Sequence, residues 1–78
     1  MSMTKIAVVG LGHAANDFHL SVLLAFEDVE VSLCDPWQQR LEDSRLRWHL
    51  PSEVCFDSLE MLMDKVNPDG IYVTIPQY

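Results

Sequence analysis

The chain is short and acidic: of its 78 residues, 12 are aspartate or glutamate and 5 are lysine or arginine, for a net charge of −7. A chain of this length forms at most one domain with a modest core, since small domains bury only about 60% of the surface of the unfolded chain. The acidity argues against a nucleic acid or an anionic membrane as a partner, because both need a basic surface. With 49% hydrophobic and 22% charged residues, the composition excludes a disordered chain and is typical of a sheet flanked by helices.

The cysteines and histidines show no pattern of metal ligands. Cys34 and Cys55 do not form a C-x-x-C pair, so we interpret them as buried thiols in a reducing compartment. The three histidines share no metal-ligand spacing with each other or with the cysteines, which argues against a zinc site. No apolar run approaches the roughly 18 residues of a membrane span. These features predict a cytoplasmic protein without a membrane segment.

The most informative motif lies near the start, where the β-like run KIAVV (residues 5–9) breaks into G-x-G-x-x-A. In a dinucleotide-binding fold, Gly10 would let the chain turn sharply, Gly12 would let the main chain approach a pyrophosphate, and Ala15 would keep the next helix close to the strand. The start of that helix offers free N–H groups and a positive dipole end to the phosphates. The predicted cofactor-binding loop comprises Gly10, Leu11, Gly12, His13, Ala14 and Ala15.

An acidic residue follows the second strand at the distance typical of a ribose-binding carboxylate. A helix is predicted over residues 14–26, then a strand over residues 29–34 that leads into Asp35. Asp35 would accept hydrogen bonds from the ribose hydroxyls, and its charge would repel the 2′-phosphate of NADP, so NAD is the favoured cofactor. We interpret Arg40 as a solvated cation rather than a 2′-phosphate ligand, and Trp37 as a helix-packing residue rather than a platform for adenine.

Helical and β-like segments continue to alternate along the rest of the chain. Pro36 would open a second helix, because proline is favoured at the first helical position, and Pro51 would end it. A third strand is predicted over residues 53–56 and a fourth over residues 71–75, with a helix between them. The order β-α-β-α-β-α-β predicts an α/β fold, a Rossmann-type parallel sheet with strand order 3-2-1-4 that forms part of a dinucleotide-binding domain.

Apolar residues at helical spacing define the helix faces that are predicted to pack on the sheet. The third helix would be capped by Asp57, with Glu60 completing a capping box. The residues at helical spacing are Ala15, Phe18, Val22 and Phe26 in the first helix, Trp37, Leu41, Arg45 and Trp48 in the second, and Leu59, Leu62, Met63 and Val66 in the third.

Four segments carry a resemblance to a known family: VGLGHAA (residues 9–15), HLSVLL (19–24), DVEVSLCDP (28–36) and DGIYVTIP (69–76). They resemble the Gfo/Idh/MocA oxidoreductases, the family of glucose–fructose oxidoreductase and inositol dehydrogenase. The resemblance implies that Ile75 and Pro76 line the cofactor after the fourth strand. It also implies that residues 1–78 are a truncated NAD(P)-binding Rossmann domain, without the C-terminal catalytic domain of the family.

The function that this resemblance implies is dinucleotide binding for an oxidoreductase that acts on a sugar, a polyol or a similar hydroxyl-bearing substrate. The family's catalytic lysine and acid–base residues would lie beyond Tyr78, so no catalytic residue is assigned and the chain alone is not expected to be catalytic. Two alternatives stay open: a stand-alone nucleotide-binding or regulatory module without catalysis, and a methyltransferase fold that binds S-adenosylmethionine. The latter usually has an acid just before the first glycine, where this chain has Val9.

The last predicted strand also bears on partners. Residues 71–75 carry no charge and would form an edge of the sheet, where unpaired N–H and C=O groups are a template for another chain. We therefore expect self-association or contact with a longer chain.

Overall fold

The computed structural model describes residues 3–11 and 20–73. Within these residues the chain forms a four-stranded sheet with the order β3-β2-β1-β4, which confirms the predicted order 3-2-1-4. The strands are β1 (Thr4–Val9), β2 (Val29–Cys34), β3 (Cys55–Phe56) and β4 (Gly70–Val73). The helical segments are α1 (Leu20–Leu23), α2 (Gln38–Arg47), a 3-10 turn (Ser52–Val54) and α3 (Leu59–Val66).

All strand pairs in the described sheet are parallel, so the carboxyl ends of the strands meet at one edge of the molecule. β1 pairs with β2 from Thr4 opposite Val29 to Val9 opposite Cys34. On its other side β1 pairs with β4, and Val9 lies opposite Val73. In open sheets of this kind, ligands bind outside the carboxyl ends of the strands, where the strand order reverses. Here that reversal lies at β1.

Two small cores cover the two faces of the sheet, because successive residues of a strand point to opposite faces. On one face Val8 and Leu33 are buried with Leu20 of α1 and Leu41 of α2. The same cluster includes Leu11, Val31 and the half-buried Trp48. On the other face Ala7 and Cys34 are buried beneath Leu62 of α3, with Val66 packed beside them. The crossover through α3 therefore covers the second face.

The predicted packing face of the first helix is wrong where the structure describes it. Val22 and Phe26 are exposed, whereas Leu20 is buried in the core and Leu23 packs against it. The helix ends at Leu23 rather than at Phe26. The Phe26 N–H then donates to the Leu23 carbonyl oxygen, a tighter i to i−3 turn that rotates the following side chains off the helical face. Ala15 and Phe18 lie outside the described residues.

Two predicted element starts are also wrong. The second helix begins at Gln38 rather than at Pro36, with Trp37 in the N-cap position. The cause is a hydrogen bond in which the Trp37 N–H donates to the Asp35 carboxylate, which places Pro36 in a turn before the helix. Of the strand predicted over residues 53–56, only Cys55–Phe56 pairs with β2.

The third helix has a different cap and a narrower buried face than predicted. Ser58, not Asp57, is the N-cap residue, and its Oγ accepts a hydrogen bond from the Met61 N–H. Of the four predicted packing residues, Leu62 is buried, whereas Leu59 and Met63 are exposed. The apolar residues of β4 on the same sheet face are exposed as well, including Val73 at 61%. The self-association expected from this edge stays a prediction.

Asp69 makes two hydrogen bonds with Lys5 at the amino end of the sheet. Its Oδ2 accepts a hydrogen bond from the Lys5 N–H at 2.8 Å, and its own N–H donates to the Lys5 carbonyl oxygen at 2.7 Å. The Asp69 side chain is exposed to water. This pair extends the ladder between β1 and β4 by one step at the end of the sheet opposite the predicted cofactor site. No helix in the part of the chain that the structure describes has the length and apolarity needed to cross a bilayer.

Candidate functional site

The chain turns sharply as soon as β1 ends, as predicted for the glycine at this position. Gly10 has a φ of 87°, a left-handed conformation that glycine adopts without the steric cost that a side chain would add. Its N–H donates to the Cys34 carbonyl oxygen at 2.9 Å, which fixes the turn to the end of β2. The next residue, Leu11, is buried in the core between the sheet and α1. The first two residues of the predicted phosphate loop are therefore held by the fold itself.

Asp35 lies directly beside this turn and is 2% exposed. Its Oδ2 accepts a hydrogen bond from the Leu11 N–H at 2.8 Å, and its Oδ1 accepts one from the Trp37 N–H at 2.9 Å. The Asp35 main-chain N–H donates to the Phe56 carbonyl oxygen at 3.1 Å. Asp35 thus joins the phosphate loop, the start of α2 and the end of β3 in one buried junction.

The Asp35 carboxylate has the chemistry that a ribose ligand needs. A buried carboxylate is stable only where N–H or O–H groups compensate its charge, and two backbone N–H groups do so here. An ionised carboxyl group has about four lone-pair sites in all. The two bonds to Leu11 and Trp37 leave acceptor capacity for hydroxyl groups of a ligand at the edge of the sheet.

Trp37 and Arg40 form a stacked pair next to Asp35. The Arg40 Cζ lies 4.4 Å from the centroid of the Trp37 ring, which is cation–π distance. Trp37 is 62% exposed, so the packing role expected for it is wrong: the first residue before α2 projects away from the sheet. Arg40 is half-buried and lies against this exposed ring.

The two cysteines have the properties of core thiols. Cys34 is buried and Cys55 half-buried, and both are free. Burial raises the pKa of the Cys34 thiol, and the nearby carboxylates of Asp35 and Asp57 raise it further. Burial is also the main cause of the raised pKa of Cys55. Both thiols are therefore harder to ionise than a free cysteine, which lowers their nucleophilic reactivity.

The remaining predicted site residues fall outside the description. Gly12, His13, Ala14 and Ala15 follow the described start of the loop, and Ile75 and Pro76 follow β4. Their cofactor contacts stay predictions. Across residues 3–11 and 20–73, no group of three or more histidine, cysteine or acidic residues is placed to hold a metal ion.

Sequence reasoning placed Asp35 and Gly10 together but missed the bond between the Asp35 side chain and the Leu11 N–H. The sequence carries little signal for it, because the donor is a main-chain group that every residue except proline has. The spacing of the glycine motif and the acid shows only that both lie at the same edge of the sheet.

Comparison with known proteins identifies the family of the chain. A family model described as "Oxidoreductase family, NAD-binding Rossmann fold", the Gfo/Idh/MocA model, matches residues 4–78. A search of the curated proteins finds no match to this sequence.

Several solved structures share the fold. A Gfo/Idh/MocA family oxidoreductase from Vibrio cholerae superposes with a TM-score of 0.82 at 23% identity, over 94% of this chain and 22% of that chain. The WlbA dehydrogenase from Bordetella pertussis, in complex with NADH and UDP-GlcNAcA, has a TM-score of 0.77 at 18% identity over 95% of this chain and 22% of its own. A dehydrogenase from Chromobacterium violaceum has a TM-score of 0.76 at 24% identity over 97% of this chain and 22% of its own.

The chain thus spans about a fifth of the length of these proteins. At this level of identity the structural matches establish the fold, and the family match covers almost every residue. The chain belongs to the Gfo/Idh/MocA oxidoreductase family, and what it contains is that family's NAD-binding Rossmann fold.

Proposed function

We propose that the chain binds NAD at the carboxyl end of its sheet and forms the dinucleotide-binding portion of an oxidoreductase. The observation that carries this proposal is the junction of Gly10, Leu11 and Asp35. A left-handed glycine turn and a buried carboxylate lie side by side at the edge of a parallel sheet where the strand order reverses. The family match over residues 4–78 supports the same assignment.

The residues present fit a dinucleotide. Gly10 turns the chain so that the following loop can present main-chain N–H groups to a pyrophosphate. Two backbone N–H groups hold the Asp35 carboxylate in place. Its remaining lone pairs could accept hydrogen bonds from the adenosine ribose hydroxyls. Bound NAD would supply the hydride acceptor for the oxidation of a hydroxyl-bearing carbon.

The same carboxylate favours NAD over NADP. A 2′-phosphate would bring about two negative charges next to the Asp35 carboxylate, which the structure holds in a buried position and pairs with backbone N–H groups. NADP binding would need a cation to offset that repulsion. The nearest basic side chain along the second helix, Arg40, lies against the Trp37 ring.

For the substrate we propose a sugar, a polyol or a similar hydroxyl-bearing compound. The support comes from the relatives: the WlbA dehydrogenases from Bordetella pertussis and Chromobacterium violaceum are solved in complex with NADH and UDP-GlcNAcA. The chain spans about a fifth of each of these proteins. The described residues form the cofactor side of such a site, and we assign no catalytic group among them.

Calorimetric titration of the chain with NAD and with NADP tests the proposal. We expect a single site that binds NAD more tightly than NADP. Asp35→Asn should narrow the difference, because it removes the charge that repels the 2′-phosphate. Equal affinities of the unmodified chain for the two cofactors would contradict the role given to Asp35, and no binding of either would contradict the proposed function.

A further inference from the structure

We propose that Asp35 is also a positioning residue, whose side chain fixes the position of Leu11, at the start of the predicted phosphate loop, through the Leu11 N–H and independently of any contact with ribose. The proposal deepens the proposed function, since the loop matters for NAD only if NAD binds there. The positioning itself is a property of the free protein and can be tested without a ligand.

The bond between Leu11 and Asp35 lies just beyond the point where β1 and β2 stop pairing. The ladder between β1 and β2 ends with Val9 opposite Cys34, and the Gly10 N–H still reaches the Cys34 carbonyl oxygen. The next N–H, that of Leu11, has passed the last residue of β2, and the Asp35 side chain accepts it. The carboxylate therefore continues the strand pairing by one further step, into the loop.

The hydrogen bond between Leu11 and Asp35 is also buried. The bond between Leu11 and Asp35 is shielded from water, and Asp35 is 2% exposed. A hydrogen bond to a buried charged group is stronger than one in water, and leaving either partner unpaired carries the full desolvation cost. Loss of the carboxylate would leave the Leu11 N–H without this acceptor in a buried position. The position of the Leu11 N–H is thus tied to the side chain of Asp35.

The Asp35 carboxylate accepts hydrogen bonds from two separate segments of the chain. Oδ1 holds the Trp37 N–H just before α2, while Oδ2 holds the Leu11 N–H. Asparagine has one side-chain oxygen and one NH₂ group, so Asp35→Asn can satisfy only one of the two donors and turns its own donor toward the other. The substitution preserves size and removes one bond, which makes it the sharpest test.

The experiment separates positioning from ribose contact by using an NAD analogue that lacks both the 2′- and the 3′-hydroxyl of the adenosine ribose. If Asp35 positions the loop, Asp35→Asn should weaken binding of this analogue by about tenfold, the loss typical of one buried charge-assisted hydrogen bond. If Asp35 acts only through the ribose hydroxyls, the variant and the unmodified chain will bind the analogue equally, and the proposal is wrong.

The matched control is Asp69→Asn. Asp69 Oδ2 accepts the Lys5 N–H at the same 2.8 Å, but in an exposed position at the opposite end of β1. We expect this variant to bind the analogue as the unmodified chain does. An equal loss of affinity in both variants would assign the effect to general destabilisation and overturn the proposal.

A second measurement needs neither a variant nor a ligand. In the unliganded, isotope-labelled chain, a through-hydrogen-bond scalar coupling between the Leu11 amide nitrogen and the Asp35 side-chain carboxyl carbon should be observed by NMR. The Leu11 amide should also exchange with solvent at least about tenfold more slowly than in Asp35→Asn. Absence of the coupling, or equal exchange rates, would overturn the proposal even if NAD binds, and their presence would support it even if NAD does not.

Discussion

The two ends of the parallel sheet use the same bond in opposite surroundings. At each end an aspartate carboxylate accepts a main-chain N–H from β1 or from the residues that follow it, at 2.8 Å in both cases. At the amino end the carboxylate of Asp69 is exposed, and at the carboxyl end that of Asp35 is buried. Water has free access to the Lys5–Asp69 bond, whereas the Leu11–Asp35 bond is buried.

This difference distinguishes a bond that repeats the strand pairing from a bond at the proposed cofactor site. The bond from Lys5 to Asp69 repeats what the β1–β4 ladder already does, since the main chains of the same two residues are paired as well. The bond from Leu11 to Asp35 lies where the β1–β2 ladder ends and joins Leu11 to the residue that follows β2. A carboxylate at the end of the second strand, next to a glycine turn, is the arrangement typical of a dinucleotide-binding fold, where the carboxylate binds ribose hydroxyls.

The largest expected effect is the loss of stability on removing each carboxylate. Asp35→Ala removes the acceptor of a buried bond from the Leu11 N–H and of a part-buried bond from the Trp37 N–H, so we expect the free energy of unfolding to fall by about 3 kcal/mol. Asp69→Ala should lower it by at most about 1 kcal/mol, because water replaces the lost acceptor. Urea denaturation followed by circular dichroism measures both. Equal losses would show that burial does not distinguish the two bonds.

A smaller effect is expected from adding a methyl group at each end of the sheet. Gly10 has a φ of 87°, so Gly10→Ala should cost about 1–2 kcal/mol of stability in backbone strain and should weaken NAD binding. At the other end, a Cβ on Gly70 would lie 3.1 Å from Ile6 Cδ1, the end of a flexible side chain. Gly70→Ala should therefore cost less and leave NAD affinity unchanged. A larger loss of NAD affinity in Gly70→Ala than in Gly10→Ala would reverse the functional assignment of the two ends.

The smallest expected effect concerns the stacked pair beside Asp35. Trp37→Ala removes an exposed ring that stacks on Arg40. We expect stability to change by no more than about 1 kcal/mol, the value of an exposed cation–π contact. Thermal unfolding of this variant beside Asp35→Ala checks the ranking. A loss in Trp37→Ala as large as in Asp35→Ala would show that the ring, rather than the carboxylate, holds this end together.

The fold was predictable because its signals are spread over many residues. Four β-like runs separated by helical segments, with a glycine motif after the first run, allow few topologies, and the order β3-β2-β1-β4 is among them. The position of Asp35 followed from the same pattern, since parallel strands bring their carboxyl ends together.

The details that failed depend on single competing bonds. Ser58 rather than Asp57 caps α3, although both are good caps on propensity. Pro36 does not take the first helical position, because the Trp37 N–H donates to the Asp35 side chain. The first helix ends one turn early, which moves Phe26 off its predicted face. Each of these details depends on which of two neighbouring groups makes the hydrogen bond or the packing contact in the folded chain. Spacing along the sequence does not encode that choice.

The central claim is that a dinucleotide binds at the carboxyl end of the sheet and leaves the amino end untouched. The most direct test is a titration of the ¹⁵N-labelled chain with NAD, followed by amide chemical shifts. The account predicts that the amides of Gly10, Leu11 and Asp35 shift with a common saturation curve while those of Lys5 and Asp69 stay in place. Saturating shifts at Lys5 and Asp69, with none at Gly10, Leu11 and Asp35, would contradict it.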